Sequence, residues 1–318
     1  MAGFPDIKTW DAFSLWRDNP DNWLAEIRDI ARAHHVPHSR AERFNTGTNL
    51  VVALGRDHIL KVFPPILRHQ FIAERASLHQ LSGRLDVGIQ SIVAEGERDT
   101  WPYLVLTRLE GHLGQDAWPG LLERQKGSIL QQIGETIRQV EAAPLGELSG
   151  LTPDWPTLME RQIRDCRDRH IRLGLPEKFW DELDELIGSA SSIIPMNPPR
   201  VILTGEYIPE NFVMLPHQDG WRLSGLFDFG DVMTGLGEYD LLGPSAFMSA
   251  GSPGRIASLF KGFGYTGADI TPALKKRLLT LMFLHRASDP LRHIRIEGWQ
   301  HKVGTLGDLK DLLWSPSL

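Results

Sequence analysis

The feature that most constrains this chain is a set of polar side chains between residues 203 and 231. Residues 203–211 read LTGEYIPEN, so the acid Glu206 is followed five positions later by Asn211. A DFGD motif begins at Asp228, seventeen positions after Asn211. Mg²⁺ prefers oxygen ligands such as amide and carboxylate oxygens, and an attacking hydroxyl needs a base to take its proton. The spacing predicts that Asn211 and Asp228 hold Mg²⁺ while Glu206 acts as the base, so the fold must make the three converge.

The first part of the chain predicts a small antiparallel sheet with one inserted helix. A turn sequence, GRD at 55–57, separates two β-rich runs and indicates a hairpin. Apolar residues at helical spacing predict a helix over 71–81. We expect Trp101 and Pro102 to lie between the last two strands. The strand-like runs are Leu50–Leu54, 58–63, 92–94 and 103–109.

The rest of the chain is predicted to be mainly helical. An apolar stripe from Leu122 to Val140 indicates one long helix, and the runs 155–173 and 177–194 indicate two more. Short strands are expected at Val201–Leu203, 212–215 and 222–227, with helices again after Tyr239. These patterns predict an α+β, two-lobed fold. A sheet-containing N-terminal lobe would span residues 1–110, and a larger helical lobe would span 111–318.

Two features of the first part fit a site that binds phosphate. Lys61 lies inside a predicted strand, where a buried ammonium needs an anionic partner, and Glu74 of the following helix is a suitable one. The alternative is an edge-strand lysine and a surface glutamate. The turn Thr46-Gly47-Thr48-Asn49 could present backbone N–H groups to phosphate, or be an ordinary turn. The chain has no P-loop motif.

Composition restricts the partners and the compartment. The formal net charge of −6 disfavours nucleic acid and suits a cationic ligand. The single cysteine, Cys166, excludes an internal disulfide and multi-cysteine metal sites. The N-terminal residues contain no apolar signal segment, and no apolar run approaches the length that spans a membrane. We therefore expect a cytoplasmic protein with no membrane partner.

These motifs together resemble the aminoglycoside phosphotransferase family, which has the protein-kinase-like fold. Thr204-Gly205-Glu206 through Asn211 matches the family's HGDxxxxN in spacing, and the residues from Asp228, with Tyr239-Asp240, match its DFGD and YD. The weaker correspondences are Gly47 with Asn49, Lys61, Glu74 and the hinge-like run 103–111.

The resemblance implies a nucleotide and a role for each matched residue. The cofactors would be ATP or GTP with Mg²⁺, and the acceptor a small hydroxyl-bearing molecule such as an aminoglycoside or another amino or hydroxy compound. Lys61, oriented by Glu74, would contact the phosphates. The adenine or guanine ring of the nucleotide would bind the backbone near Thr107 and Leu109. Asp231 and Asp240 would support the metal shell or the catalytic loop.

Two departures from the family pattern keep an alternative open. Thr204 stands where the family has His, and Glu206 where it has the catalytic Asp. Glu206 keeps the carboxylate, so it can still act as the base. The alternative is a nucleotide-binding pseudokinase with weak or no transferase activity, and an unrelated structural protein is a third possibility. A protein kinase is disfavoured, because too few residues separate the DFG motif from Tyr239 for an activation segment.

Overall fold

The computed structural model describes residues 3–45, 47–218 and 220–316. The chain forms two compact units. The first unit consists of Met1–Gly83, Gly88–Glu110 and Gly225–Val232, and the second of Arg84–Val87, Gly111–Ser224 and Met233–Leu318. The DFGD motif therefore belongs to the first unit, although it follows most of the second in sequence. The sequence predicts a boundary between two domains at residues 110 and 111. That domain boundary stays a prediction.

The first unit contains a five-stranded antiparallel sheet of order β1-β2-β3-β6-β5. The predicted hairpin is confirmed, since Val52 of β2 pairs with Leu60 of β3. A further short strand, β4, pairs in parallel with Gly225 and Leu226. The elements are α1 Trp10–Asp18, α2 Leu24–Ala33, β1 Ala41–Arg43, β2 Leu50–Leu54, β3 His58–Val62, α3 Arg68–Leu81, β4 Gly88–Ile89, β5 Ile92–Arg98 and β6 Trp101–Thr107.

Residues before the sheet complete its core. The side chains of Phe4, Phe13, Trp23 and Ile27 are buried against inward-facing residues of β2, β3 and β6. Trp101 lies at the centre of this aromatic cluster, with its ring centroid 5.1 Å from that of Phe4. Burial of such large rings removes much apolar surface from water, so the two N-terminal helices are an integral part of this unit.

The structure places the turn before β6 earlier than the sequence predicts. Trp101 and Pro102 are the first residues of β6, not a connection. The turn is made by Asp99 and Thr100, which both have a positive φ, at 48° and 73°. Pro102 is accommodated in the strand because its carbonyl, not its missing N–H, pairs with the amide of Phe63, at 2.9 Å.

The second unit is mainly helical, with short strands near its candidate functional loop. β7 pairs with β9, and β8 pairs with β11, both in antiparallel fashion. Its elements are β7 His112–Leu113, α4 Gly114–Ala117, α5 Glu123–Ala142, α6 Trp155–Arg172, α7 Trp180–Ile193, β8 Val201–Leu203, β9 Phe212–His217, β10 Gly220–Leu226 as far as Ser224, β11 Met233–Gly235, α8 Pro253–Phe263, α9 Pro272–Leu284, α10 Pro290–His293, α11 Trp299–Lys302 and α12 Leu306–Leu313.

The centre of the second unit is the contact between α5 and α8. The predicted apolar stripe is buried from Ile129 to Val140 of α5, whereas Leu122 lies just before the helix and is 59% exposed. Ile256, Leu259 and Phe260 of α8 are buried as well. The helices approach closely because each has a glycine at the contact. A Cβ at Gly134 would overlap the backbone of α8, and one at Gly262 would overlap the carbonyl oxygen of Gln131.

The single cysteine, Cys166, lies inside the second unit. The side chain is fully buried in α6, and its thiol donates to the carbonyl of Phe283 at 3.4 Å. Burial raises the pKa of this thiol to about 12, so it is not a nucleophile at neutral pH. Within residues 3–45, 47–218 and 220–316, no helix is both long and apolar enough to cross a membrane.

Because α5 and α8 approach closely, we expect a glycine-to-alanine substitution at their contact to destabilise the protein, whereas the same substitution usually stabilises a helix. Alanine in an exposed helix interior normally stabilises by about 0.5–1 kcal/mol over glycine. We expect Gly262→Ala instead to reduce the free energy of unfolding by about 1–3 kcal/mol, because the methyl group must displace α5. Urea unfolding measures both effects. Gly188→Ala in α7 is the matched control, since a Cβ there meets open space. A stabilising Gly262→Ala would contradict the packing described.

Candidate active site

A buried ion cluster joins three segments of the first unit. The ammonium of Lys61 in β3 lies 2.5 Å from a carboxylate oxygen of Glu74 in α3. It also donates to Oδ1 of Asp228 at 2.7 Å. The side chains of Lys61 and Glu74 are 6% and 0% exposed, whereas that of Asp228 is 34% exposed. The cluster therefore presents its charge to solvent mainly through Asp228.

Local backbone structure explains how the three side chains meet. Lys61 pairs with Val51 and Leu104 on either side, so it lies in a central strand of the sheet and not at an edge. Asp228 has a φ of +67°, an uncommon conformation for a residue with a side chain. Such backbone strain is retained where surrounding contacts impose it. Here the bond from Lys61 holds the carboxylate of Asp228 in place.

The cluster shifts the pKa values of all three groups. Burial alone would lower the pKa of Lys61, but the two carboxylates outweigh it and leave this pKa above its ordinary value. The charge of Lys61 lowers the pKa of Asp228. Burial raises the pKa of Glu74 to about 7 against the attraction of Lys61. Lys61 is therefore cationic and Asp228 anionic at neutral pH.

The turn that precedes β2 is held by an arginine outside the predicted site. Arg17 of α1 donates from Nη1 to the carbonyls of Gly47 and Thr48, at 2.8 Å each. In a planar trans peptide the following N–H points away from the carbonyl. The amides of Thr48 and Asn49 therefore point away from the guanidinium group. Thr46, the first residue of the predicted turn, lies outside the described residues.

A chain of hydrogen bonds connects this turn to the DFGD motif. The buried Asn49 donates to the side-chain oxygen of Gln70 at 2.8 Å. Gln70 in turn donates to Oδ1 of Asp231 at 3.4 Å. The sequence analysis missed Gln70 and Arg17, because both are ordinary residues on helices and no local motif marks them. Only the fold shows that they contact the candidate site.

The hinge-like run differs in its two predicted backbone positions. The amide of Thr107 donates to the carbonyl of Ser91 at 2.9 Å. Its carbonyl accepts from the side chain of Gln90 at 3.2 Å. Both backbone groups of Thr107 therefore have partners within the first unit. Leu109 lies beyond the end of β6, in irregular structure.

In the second unit, Glu206 and Asn211 lie together in the loop between β8 and β9. The amide of Asn211 donates to the carboxylate of Glu206 at 2.8 Å and to its backbone carbonyl at 3.3 Å. The predicted spacing of five residues therefore brings the side chains into contact. The bond engages the nitrogen of the Asn211 amide, so the amide oxygen is the end that suits a cation.

Asp240 fixes the beginning of this loop. Its two carboxylate oxygens accept from the backbone amides of Thr204, at 2.9 Å, and Gly205, at 2.7 Å. Asp240 is buried at 2% exposure, and burial raises its pKa to about 7 while the two backbone bonds oppose the shift. These two bonds favour support of the loop as the role of Asp240, one of the two roles that the resemblance implies.

A second acid, Glu141, is partly buried and lies close to Asp240. Burial first, then the charges of Asp240 and Glu238, raise the pKa of Glu141 to about 8. Its Oε1 is buried and finds no hydrogen-bond partner among the residues that the structure describes. Sequence reasoning missed Glu141, because a single acid near the end of a helix normally faces solvent.

A cavity of ≈ 540 Å³ opens beside Glu206, within the second unit. Its wall includes Trp118, Phe247 and Met282 as well as several charged side chains. The candidate site residues thus form two groups, one in each unit. Lys61, Glu74 and Asp228 form the first, and Glu206 and Asn211 the second. Joint binding of one metal by Asn211 and Asp228 stays a prediction.

The chain matches the model of the "Phosphotransferase enzyme family" over residues 41–273. It belongs to this family, and the predicted resemblance and fold class are confirmed. Arg17 and the N-terminal helices lie outside the matched region.

Solved structures of similar fold include aminoglycoside and macrolide phosphotransferases. One is the GDP complex of aminoglycoside 2'-phosphotransferase-IIIa, with a TM-score of 0.64 and 16% identity over 81% of this chain and 88% of the other. Another is an ADP-bound aminoglycoside phosphotransferase, with a TM-score of 0.56 and 12% identity over 93% and 98%. A third is macrolide 2'-phosphotransferase from Brachybacterium faecium, with a TM-score of 0.57 and 12% identity over 93% and 99%. At such identities the likeness is one of fold.

The buried ion cluster predicts strong coupling between its members. Lys61→Met leaves Glu74 without its cation in a fully buried position, so we expect the free energy of unfolding to fall by about 3–5 kcal/mol. Adding Glu74→Gln should restore part of this loss, because the second change removes the uncompensated carboxylate. Urea unfolding of wild type, both single variants and the double variant at pH 7 gives the coupling energy. Additive single effects would contradict the cluster.

The raised pKa of Glu141 predicts a pH-dependent effect of Glu141→Gln. Between pH 4.5 and about 8 the folded protein holds a proton that the unfolded chain releases, so wild-type stability falls as pH rises through this range. Glutamine removes that loss. We expect the variant to match wild type near pH 5 and to exceed it increasingly at pH 7 and 9 in urea unfolding. Glu160→Gln, at an exposed position of α6, is the control for charge removal. A difference independent of pH would contradict the assignment.

Proposed function

We propose that this protein transfers the γ-phosphoryl group of ATP or GTP to a hydroxyl of a small molecule, with the help of Mg²⁺. The observation that carries the proposal is the buried cluster of Lys61, Glu74 and Asp228 in a member of a phosphotransferase family. A buried lysine held by one carboxylate, beside a second carboxylate that reaches solvent, suits the binding of phosphate and metal together.

The first unit would bind the nucleotide. Lys61 contacts the phosphates, and Glu74 holds its ammonium in position. The amides of Thr48 and Asn49, whose peptides are oriented by Arg17, donate to the phosphates. The adenine or guanine ring of the nucleotide hydrogen-bonds to the backbone of the hinge between Thr107 and Leu109. Leu109 is the main contact there, because both backbone groups of Thr107 already have partners.

The donor set fits a magnesium ion. Asp228 is anionic, partly exposed and fixed through one oxygen by Lys61, and Asn211 keeps its amide oxygen for a cation. Both are hard oxygen ligands of the kind that Mg²⁺ takes. When bound, Mg²⁺ would neutralise charge on the phosphate oxygens.

Glu206 would take the proton of the acceptor hydroxyl. As the hydroxyl oxygen forms its bond to the γ-phosphorus, the bond to the nucleoside diphosphate breaks, and the proton passes to the carboxylate of Glu206. The bond from Asn211 holds the longer glutamate side chain in one orientation. Asp240 fixes the amides of Thr204 and Gly205, so the backbone just before the base is fixed too. These contacts reduce the positioning error that an extra methylene introduces.

The replacement of the family's aspartate by Glu206 keeps the pseudokinase as a second candidate function. In that case the first unit would still bind the nucleotide, and phosphoryl transfer would be slow or absent. The kinetic experiment below separates the two functions.

Substitutions of Glu206 test the proposed base. We expect Glu206→Gln to reduce kcat for Mg²⁺-dependent ATP turnover by about 10²–10⁴-fold, because the proton acceptor is lost. Glu206→Asp should fall between glutamine and wild type, since it keeps the carboxylate and loses reach. A coupled ADP-release assay measures the rates, with Glu177→Gln at an exposed position as control. Unchanged turnover in Glu206→Gln would exclude Glu206 as the base.

Nucleotide binding is measured in the same proteins. A rise in melting temperature with Mg²⁺-ATP is expected in wild type and in both Glu206 variants, because the nucleotide binds only the folded chain. Binding without turnover in wild type, with activity gained in Glu206→Asp, would favour the pseudokinase. No rise with either ATP or GTP would exclude both functions.

A further inference from the structure

We propose that the acceptor carries an anionic group, a carboxylate or a phosphate, beside the hydroxyl that receives the phosphoryl group. The inference rests on the proposed function, because it assigns the acceptor to the cavity beside Glu206. This cavity lies within the second unit and is lined by residues of α5, α8, α10 and the loop of the proposed base. Its charge distribution carries the argument.

Cations outnumber acids along the wall of this cavity. Glu206 and Glu210 are the acidic side chains among its described lining residues, and Glu206 is already assigned as the base. The cationic side chains of the wall are Lys126, Arg255, Arg292 and Arg295. The chain as a whole has a net charge of −6, so the cavity has the opposite sign to the protein around it.

Two of these cations, Arg255 and Lys126, share one carboxylate partner, Glu123, which does not line the cavity. Arg255 pairs with both oxygens of Glu123, through Nε at 2.9 Å and Nη2 at 2.5 Å. Lys126 lies at 4.0 Å from the same carboxylate. The cationic side chains are 16% and 14% exposed, whereas that of Glu123 is 68% exposed. Water screens the exposed acid more than the sheltered cations, so this wall keeps a positive charge.

The other two cations of the wall, Arg292 and Arg295, differ from this pair. Within residues 3–45, 47–218 and 220–316, no carboxylate lies within 4.0 Å of the guanidinium of Arg292 or Arg295. The nearby Asp289 accepts from the backbone amide of Arg292, at 3.2 Å, and caps α10. Burial lowers the pKa of His293, which lies between the two arginines in sequence, and their charges contribute. His293 is thus mainly neutral at pH 7.

This charge pattern selects between acceptor classes. A polycationic amino sugar would bring several ammonium groups to a wall that offers them Glu206 and Glu210. Like charges in a sheltered cavity repel strongly, so such a molecule is disfavoured. Guanidinium groups bind carboxylates and phosphates through paired hydrogen bonds. Trp118, Phe247 and Met282 line the same cavity, which suits an acceptor with an apolar body as well as an anionic group.

Matched acceptors test the charge requirement in the wild-type protein. The pairs are 3-phenyllactate with its methyl ester and ribose 5-phosphate with ribose, and kanamycin represents the polycations. All are assayed at one ionic strength with Mg²⁺-ATP. We expect kcat/KM to be about tenfold or more higher for the anionic member, as loss of one charge-assisted bond implies. The two pairs distinguish carboxylate from phosphate. Equal or better turnover of the neutral members or kanamycin would overturn the proposal.

Direct binding gives a readout that does not depend on turnover. We expect millimolar 3-phenyllactate or inorganic phosphate to raise the melting temperature of wild type, and the rise to be lost in the double variant Arg292→Gln, Arg295→Gln. Arg124→Gln, an exposed arginine of α5 outside this cavity, is the matched control and should respond like wild type. An equal rise in all three proteins, or none in any, would overturn the proposal.

The kinetic constants of the variants complete the test. With an anionic acceptor, Arg292→Gln should raise KM for that acceptor about tenfold while kcat changes less. The proposed function fails separately, through the absence of both Mg²⁺-ATP turnover and nucleotide-induced stabilisation in wild type. Stabilisation by kanamycin in place of the anions would leave the kinase function intact and reject the anionic acceptor.

Discussion

The ion cluster of Lys61, Glu74 and Asp228 is the interaction on which the first unit of this protein depends. A lysine in the centre of a sheet must be neutralised, and the fold does so with a helix acid and an acid from a segment far along the chain. The cluster therefore fixes the sheet, helix α3 and the DFGD motif to one another. In the proposed function it would also supply a cation and a carboxylate for phosphate binding, so stability and function would depend on the same contacts.

The loop of the proposed base in the second unit relies on a similar arrangement. Asp240 is buried and accepts from two successive backbone amides, and Asn211 holds the carboxylate of Glu206. Each of these hydrogen bonds restricts the conformations of the loop or of the Glu206 side chain, and a positioned base requires such restriction. The departure from the family's aspartate is thus accompanied by a local contact that suits the longer side chain. The positive charge of the neighbouring cavity wall is a local property as well. The negative net charge of the whole chain had suggested a cationic ligand instead.

Part of this picture could be predicted because the signals are local. The hairpin of β2 and β3, the helix that carries Glu74 and the long helix α5 follow from apolar periodicity and turn residues, and the structure confirms them. The turn before β6 was predicted incorrectly, because Trp and Pro suggest a connection when read alone. In the fold, the aromatic core takes up Trp101, and Asp99 and Thr100 make the turn in its place. Long-range burial decided that position.

The sequence by itself determined the chemistry that is available: the acid and the amide five residues apart, the DFGD motif, the strand lysine and the membership of a kinase-like family. Spacing suffices there, because these residues lie on short segments whose local geometry is nearly fixed. Only the tertiary structure decided which distant groups meet. Packing brings Arg17 to the turn and places Gln70 between Asn49 and Asp231. It also gathers the arginines around the cavity, and no local pattern in the sequence encodes any of these contacts.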